Sequence, residues 1–393
     1  MGKLSVAVLI AFTFSALPAG RAATNEGPPG VVIDHSPASS KAYVGSPSLA
    51  VWTNGNYVAS HDFFGPGTKN HRTVLFQSSD RGTNWQKLAD LEGQWWSTLF
   101  RHGDALYLLG SSEHYGNLVI RRSTDGGKTW TTPNSPTNGL LRADGQYHCA
   151  PTPLLEFGGR LWRGTERRDP PEEWGKNFCA GMVSAATNAD LLDASAWTAS
   201  NFLHGNSEWL GGTFGGWLEG NAVAARDGRL IDLLRVDTDG YPEKAALVEI
   251  SADGKKASFD PKSGFVDFPG GAKKFTVRFD PASDQYWTVA TLVPPDQRSK
   301  AKPGTIRNTL ALLSSPDLKS WTIRGVLLKH PDPVKHGFQY VDWLFEGDDL
   351  IAVCRTAFDD GLGGARRAHD ANYLTFHRIP GFRSYAGAGL GEK

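Results

Sequence analysis

Apolar and β-branched residues in this chain come in short runs separated by polar, Gly- or Asn-containing turns, and no long stretch carries the 3.6-residue period of an amphipathic helix. The runs group in fours. Residues 47–52 and 56–61 flank the hairpin signal Thr53-Asn54-Gly55, and residues 73–77 and 85–88 flank a second turn, Ser78-x-Asp80-x-Gly82-x-x-Trp85. The second turn returns 45 residues on as Ser123, Asp125, Gly127 and Trp130. In each copy Asp can accept from backbone amides ahead of it, Gly supplies a positive φ, and Trp buries a large apolar face between units. A repeat of this length in a strand-rich chain predicts propeller blades.

Six blades can be counted. After the first come 96–101, 105–109, 117–123 and Trp130, then 148–156, 160–165, 178–184 and Trp197. The fourth takes 217–224, 229–234, 245–250 and a degraded turn, Ser251, Asp253 and Phe259; the fifth takes 275–279, 285–292, 309–313 and the shortened turn Ser315, Asp317, Trp321. The sixth has 338–345, 349–355 and 372–377, and the β-branched run 31–33 is expected to add its outer strand, closing the ring and removing exposed edges. Residues 201–213 leave room for part of a seventh blade. The expectation is an all-β chain folded as a single β-propeller of four-stranded blades with Asp-box turns. No Pro, Gly or Ser-rich linker divides it.

Length and charge narrow the partners. At 393 residues and 40% hydrophobic content the chain can bury a large core, and 41 basic against 41 acidic residues give no general attraction for nucleic acid or an anionic membrane. Gly2 and Lys3, the apolar run 4–17 and the small residues around Ala22 and Ala23 predict a secretory signal peptide over 1–22, with a propeller catalytic domain over 23–393 in a secreted protein that lacks a membrane anchor. Three cysteines cannot all pair: Cys149 with Cys179 is one option, small buried hydrophobes the other.

In an up-and-down blade the Asp-box turns lie on one face, so ligand groups are sought on the other. Polar residues at the strand ends facing that mouth are His61, His148, Glu166, Arg167, Arg235, Arg307, Gln339, Tyr340 and Arg355, with His35 at the end of the closing strand. Arginine grips a carboxylate through two hydrogen bonds and histidine exchanges protons near neutral pH, so the set suits an anionic sugar. Each residue alone also fits a rim ion pair or a satisfied buried imidazole. Zinc-protease, P-loop, nucleophile-elbow and EF-hand motifs are lacking.

The boxed turns resemble those of sialidase-type propellers, although Arg378-Ile379-Pro380 stands at the C-terminal end instead of ahead of the boxes. The segments Tyr43-Val44-Gly45-Ser46-Pro47-Ser48, Val58-Ala59-Ser60-His61-Asp62-Phe63-Phe64-Gly65, Gln94-Trp95-Trp96-Ser97-Thr98-Leu99-Phe100 and Gln146-Tyr147-His148-Cys149-Ala150-Pro151 together look like the secreted L-rhamnosyl-α-1,4-D-glucuronate lyases, a polysaccharide lyase family formerly filed as α-L-rhamnosidases. That resemblance implies seven blades, a central catalytic histidine matched best by His61 and next by His35, calcium on the propeller axis, and no organic cofactor. It also implies action on an acidic plant glycan, the rhamnose-capped glucuronate of arabinogalactans such as gum arabic; a monomer is expected.

The expected chemistry is syn β-elimination, releasing L-rhamnose and a 4,5-unsaturated glucuronate. His61 would move the proton, with His35 or His148 assisting, and Arg167, Arg235 and Arg307 would neutralise the carboxylate. A retaining glycosidase with Glu166 and Glu219 as its carboxyl pair and a non-catalytic sugar-binding propeller remain the alternatives. The metal ligands are left open.

Overall fold

The computed structural model describes residues 27–148 and 150–387. Six antiparallel sheets follow one another along the chain as the blades of a β-propeller. The first blade, from inner to outer strand, is Ser48–Val51, Tyr57–Phe64, Arg72–Ser78 and Gln86–Glu92, with Tyr43–Val44 extending its inner edge. The second is Trp95–His102, Ala105–Ser111, Leu118–Ser123 and Leu140–Arg142; the third has a divided inner strand, Tyr147–His148 and Leu155–Phe157, then Arg160–Arg168, Phe178–Ala186 and Trp197–Ala199. The fourth is Phe214–Ala224, Leu230–Thr238 and Lys244–Ile250, edged by Ala257–Ser258 and Phe265–Asp267. Val277–Asp280, Gln285–Thr291, Thr309–Ser315 and Thr322–Lys329 make the fifth.

The sixth blade takes Gly337–Glu346, Asp349–Ala357 and Tyr373–Ile379 from the C-terminal part of the chain and Val31–His35 from the N-terminal part. Closure therefore follows the apolar pattern, and so does the count of six. The seventh blade implied by resemblance is corrected: residues 201–213 make one bridge, Leu203 to Ala180, and a single helical turn, Trp209–Gly212. Leu210 and Gly211 there are left-handed, which breaks strand geometry, and Trp209 is drawn into an aromatic cluster with Phe214, Trp217, Phe259 and Phe265. The second blade's outer strand also falls later than the pattern predicts, because Pro133 and Pro136 interrupt the segment after Trp130.

Between blades, alternate side chains of facing sheets interlock. Tyr57, Ala59 and Val74 of the first blade meet Ile351, Val353 and Leu374 of the sixth, sealing the closure. The Asp-box turns are built as their residues imply: Ser78 Oγ accepts from the Gly82 amide at 2.8 Å, Asp80 Oδ1 from the Asn84 amide at 2.9 Å, and Trp85 Nε1 donates to the Gly82 carbonyl at 3.1 Å. In the shortened fifth-blade turn Leu318 takes the position of Gly82, at φ 66°. No described helix is long and apolar enough to cross a membrane. The expected signal peptide and the Cys149 side of the Cys149–Cys179 pairing lie outside the described residues.

Candidate active site

On the face away from the Asp-boxes, three inner strands break register. The shifts fall between Trp95 and Thr98 in the second blade, Leu218 and Asn221 in the fourth, and Gln339 and Asp342 in the sixth. Each carries a non-glycine residue at positive φ: Trp96 at 47°, Glu219 at 61° and Tyr340 at 56°. Such backbone costs about 1–3 kcal/mol per residue, and a bulge re-aims the side chain it holds. Close packing fixes the fourth-blade bulge, since a Cβ on Gly220 would stand 2.0 Å from Asp232 Oδ1.

The fourth- and sixth-blade bulges bring two distant residues together. Tyr340 Oη donates to Glu219 Oε1 at 2.9 Å, while Arg235 Nη1 donates to Glu219 Oε2 at 3.0 Å. Arg355 lies 4.8 Å from the centre of the Tyr340 ring and 4.4 Å from that of Phe64, and it donates to the His369 carbonyl. Arg307 Nη1 donates to Gln339 Oε1 at 2.6 Å, and Gln339 Nε2 in turn to the Ala368 carbonyl. Arg235, Arg307, Arg355 and Glu219 are all buried, so three guanidinium groups, of which only Arg235 is paired with Glu219, lie in a place where water screens little.

Titration behaviour follows from that imbalance. Burial pushes Arg307 down to about 9, with Arg235 and Arg355 adding repulsion, and burial lowers Arg355 too. Burial works to raise Glu219, but Arg235, His148 and the Tyr340 hydrogen bond together outweigh it and hold the carboxyl below its usual range. Burial and the Glu219 charge both raise the Tyr340 phenol, so its proton leaves only by transfer. The Nε atoms of Arg235, Arg307 and Arg355 are buried with no hydrogen-bond partner among the described residues. The arrangement can bind an anion and pass a phenolic proton to a carboxylate.

Asp62 and His61 occupy opposite sides of one strand, as consecutive strand residues must. Asp62 turns toward the inner strands, where its carboxylate accepts from the amides of Ser46 at 2.8 Å and Trp96 at 2.9 Å. Burial nevertheless raises its carboxyl to about 6. His61 turns into the seam with the sixth blade. Its Nδ1 meets the Asp62 carbonyl at 2.8 Å, its Nε2 meets Asp34 Oδ2 at 2.9 Å, and its ring packs between Phe63 and Phe76. Its side chain is 0% exposed and held in that seam.

The other expected residues divide the same way. His148 Nδ1 meets Glu166 Oε2 at 3.0 Å, Glu166 Oε1 accepts from the Gly220 amide, and His148 packs edge-on against Trp96, so this pair sits beside the cluster. Glu166 therefore does not face Glu219 as a free carboxyl partner. Arg167 points to the opposite side of its strand, ion-paired with Asp169 at 2.8 Å and stacked over Phe202, away from the other arginines. His35 lies at the outer edge of the sixth blade, stacked on Tyr373 and bonded to Asp360. Arg378 is tied to Glu346 and Asp349 at the hairpin on the Asp-box face. Glu219 as the partner of Tyr340, Asp62, and His369 at the cavity edge were not singled out by sequence; for Glu219 a charged residue inside a buried inner strand was the available signal.

Calcium on the axis needs several free oxygen ligands. Between the inner strands, the Ala150 carbonyl accepts from Arg163 at 2.9 Å, and the Val341 carbonyl accepts from Lys274 at 2.9 Å and Thr276 at 2.8 Å. Two buried cationic side chains already use those oxygens and would repel a divalent ion, so the residues present do not fit calcium there. Elsewhere, Asp169, Cys179 and His204 converge closely enough to share a metal ion, although Asp169 is already engaged by Arg167.

No protein-family model matches the sequence, and no curated protein matches it. Solved structures do resemble the fold. An α-L-arabinanase of Penicillium chrysogenum complexed with arabinobiose superposes with a TM-score of 0.55 at 14% identity, over 91% of this chain and 98% of that one. A Hadza microbial sialidase gives 0.57 at 12% identity, over 89% and 68%. The sialidase of Trypanosoma rangeli in complex with sialic acid gives 0.54 at 15% identity, over 87% and 55%. At these identities the likeness establishes the architecture alone, a β-propeller.

Proposed function

We propose that this protein is a glycan-active enzyme that removes a terminal carboxylate-bearing sugar, through a covalent intermediate on Tyr340. The 2.9 Å hydrogen bond between Tyr340 and Glu219, set among three arginines, carries the reading. A sugar carboxylate fits Arg235, Arg307 and Arg355, whose charge exceeds that of Glu219. A carboxylate nucleophile would be repelled by such a substrate, whereas a phenol stays neutral until it attacks, and sialidases are known to use tyrosine in this way. The arabinobiose and sialic acid complexes of similar propellers support a sugar ligand.

In the first step Tyr340 Oη bonds to the anomeric carbon as Glu219 takes the phenolic proton. The bond to the leaving oxygen breaks, and we assign Asp62, protonated up to about pH 6, as the donor that neutralises it. Water then displaces the tyrosine, with Asp62 receiving a proton and Glu219 returning one to Tyr340.

The arginine cluster also favours a second reading, elimination at a rhamnose-capped glucuronate, because stabilising the carboxylate is what makes its C5 proton removable. With His61 sealed, Tyr340 would abstract that proton, and syn geometry lets one group deliver it to the departing O4. Digestion of gum arabic and of simple uronide and ulosonide glycosides, followed by mass and near-ultraviolet absorbance, separates the two. A free acidic sugar with no new absorbance is the expected result; L-rhamnose together with an absorbing 4,5-unsaturated product would replace hydrolysis by elimination.

A further inference from the structure

The cavity in the mouth is about 770 Å³, toward the upper end of the roughly 300–1,000 Å³ typical of ligand pockets and larger than one hexose requires. Its inner end is formed by Arg235, Arg307 and Tyr340. Its outer end is chemically different. Trp174 lies on one side and Val334 on the other, 52% and 68% exposed, and they are two of the five exposed large hydrophobic residues among the described ones. Exposed tryptophan is uncommon unless it serves a contact.

The Trp174 loop is built to hold its ring there. Its edge packs on Phe178 at 5.9 Å, and the Arg235 guanidinium lies 6.0 Å from the ring centre. The Trp174 carbonyl accepts from the Lys176 amide at 2.9 Å, and the next residue, Gly175, lies so close to the fourth blade that a Cβ on Gly216 would stand 2.2 Å from the Gly175 carbonyl oxygen. The outer end carries no excess of lysine over carboxylate: Lys302 pairs with Asp239 at 2.7 Å, and Lys300, Asp237 and Asp296 line the same cavity. The excess positive charge is confined to the inner end.

From this polarity we infer that Trp174 is the platform of a second subsite, which stacks the neutral hexose next to the scissile bond, so that the substrate class is a single acidic sugar capping a neutral glycan. Pyranose rings present an apolar C–H face that an aromatic ring covers, and an outer end where lysines do not exceed carboxylates does not reward a second carboxylate. This inference rests on the reading of the inner end as the acidic-sugar site, but it can fail separately.

Saturation-transfer NMR on the full chain, with galactobiose, cellobiose and mannobiose as uncharged probes, tests it without turnover. Ring-proton saturation is expected for at least one probe with the native protein and with Tyr340→Phe, at least tenfold weaker with Trp174→Ala and largely restored with Trp174→Phe. Because Trp174 is exposed, its variants should keep the native melting temperature. Unchanged saturation in Trp174→Ala, no saturation with any neutral probe, or a Trp174-dependent signal seen only with digalacturonate would overturn the inference. Tyr340→Phe that keeps full turnover on an acidic glycoside would instead overturn the nucleophile and leave the subsite standing.

Discussion

At the scale of residues, one step along a strand separates structure from chemistry. His61 and Asp62 are neighbours, and the alternation of side chains sends the imidazole into the seam between blades and the carboxyl toward the inner strands. Motif reading favours His61 because a histidine at a strand end is conspicuous; it cannot see that both ring nitrogens are engaged. His61→Ala should destabilise the fold by about 2–4 kcal/mol through lost packing and an unpaired Asp34, as read by chemical denaturation, while folded protein keeps turnover within a few-fold. Unchanged stability with a hundredfold loss of turnover would return His61 to the chemistry. For Asp62 the sign is fixed by its rise from 3.8 to about 6. Its contribution to stability is fully present below pH 3.8 and is lost as pH rises through 6, on the order of 3 kcal/mol at about 1.4 kcal/mol per pH unit. Asp62→Asn should therefore lose ground to the native protein at pH 4 and recover it at pH 7. Its turnover should fall about 10²–10⁴-fold on substrates with poor leaving groups and much less on activated aryl glycosides. A parallel pH dependence of stability in the two proteins would contradict the assignment.

At the scale of elements, the strands and Asp-box turns were legible because they repeat a local pattern that hydrophobic alternation and turn chemistry fix. The bulges were not. Glu219 and Tyr340 sit in inner strands whose apolar pattern continues across the shift, and their contact joins residues far apart in sequence, so only tertiary register reveals it. The arginines at strand ends are readable from the face they occupy, but Arg167 is not separable from them by sequence, because the pattern does not show which side of the strand each long side chain takes. The closing strand is the element whose role can be isolated. Removing the segment through His35 should expose the edge of Tyr373–Ile379 and strip Asp34 from His61, giving aggregation or loss of a single cooperative melt. A monomer with native melting temperature would show that the ring does not depend on that strand.

At the scale of the molecule, a chain with no net charge concentrates three buried guanidinium groups at one end of its mouth, opposite the turns that make its fold recognisable. In a ring of six only the fifth blade separates the fourth from the sixth, close enough for the sixth to supply the phenol and the fourth its base. The most direct test of the account is covalent trapping. The native protein is incubated with a fluorinated acidic glycosyl fluoride, whose fluorine slows breakdown of the intermediate, and examined by intact mass and peptide mapping. The account predicts one added sugar, located on Tyr340 and lost in Tyr340→Phe. Steady release of an unsaturated product from a natural glycan, with Tyr340 unmodified throughout, would contradict it.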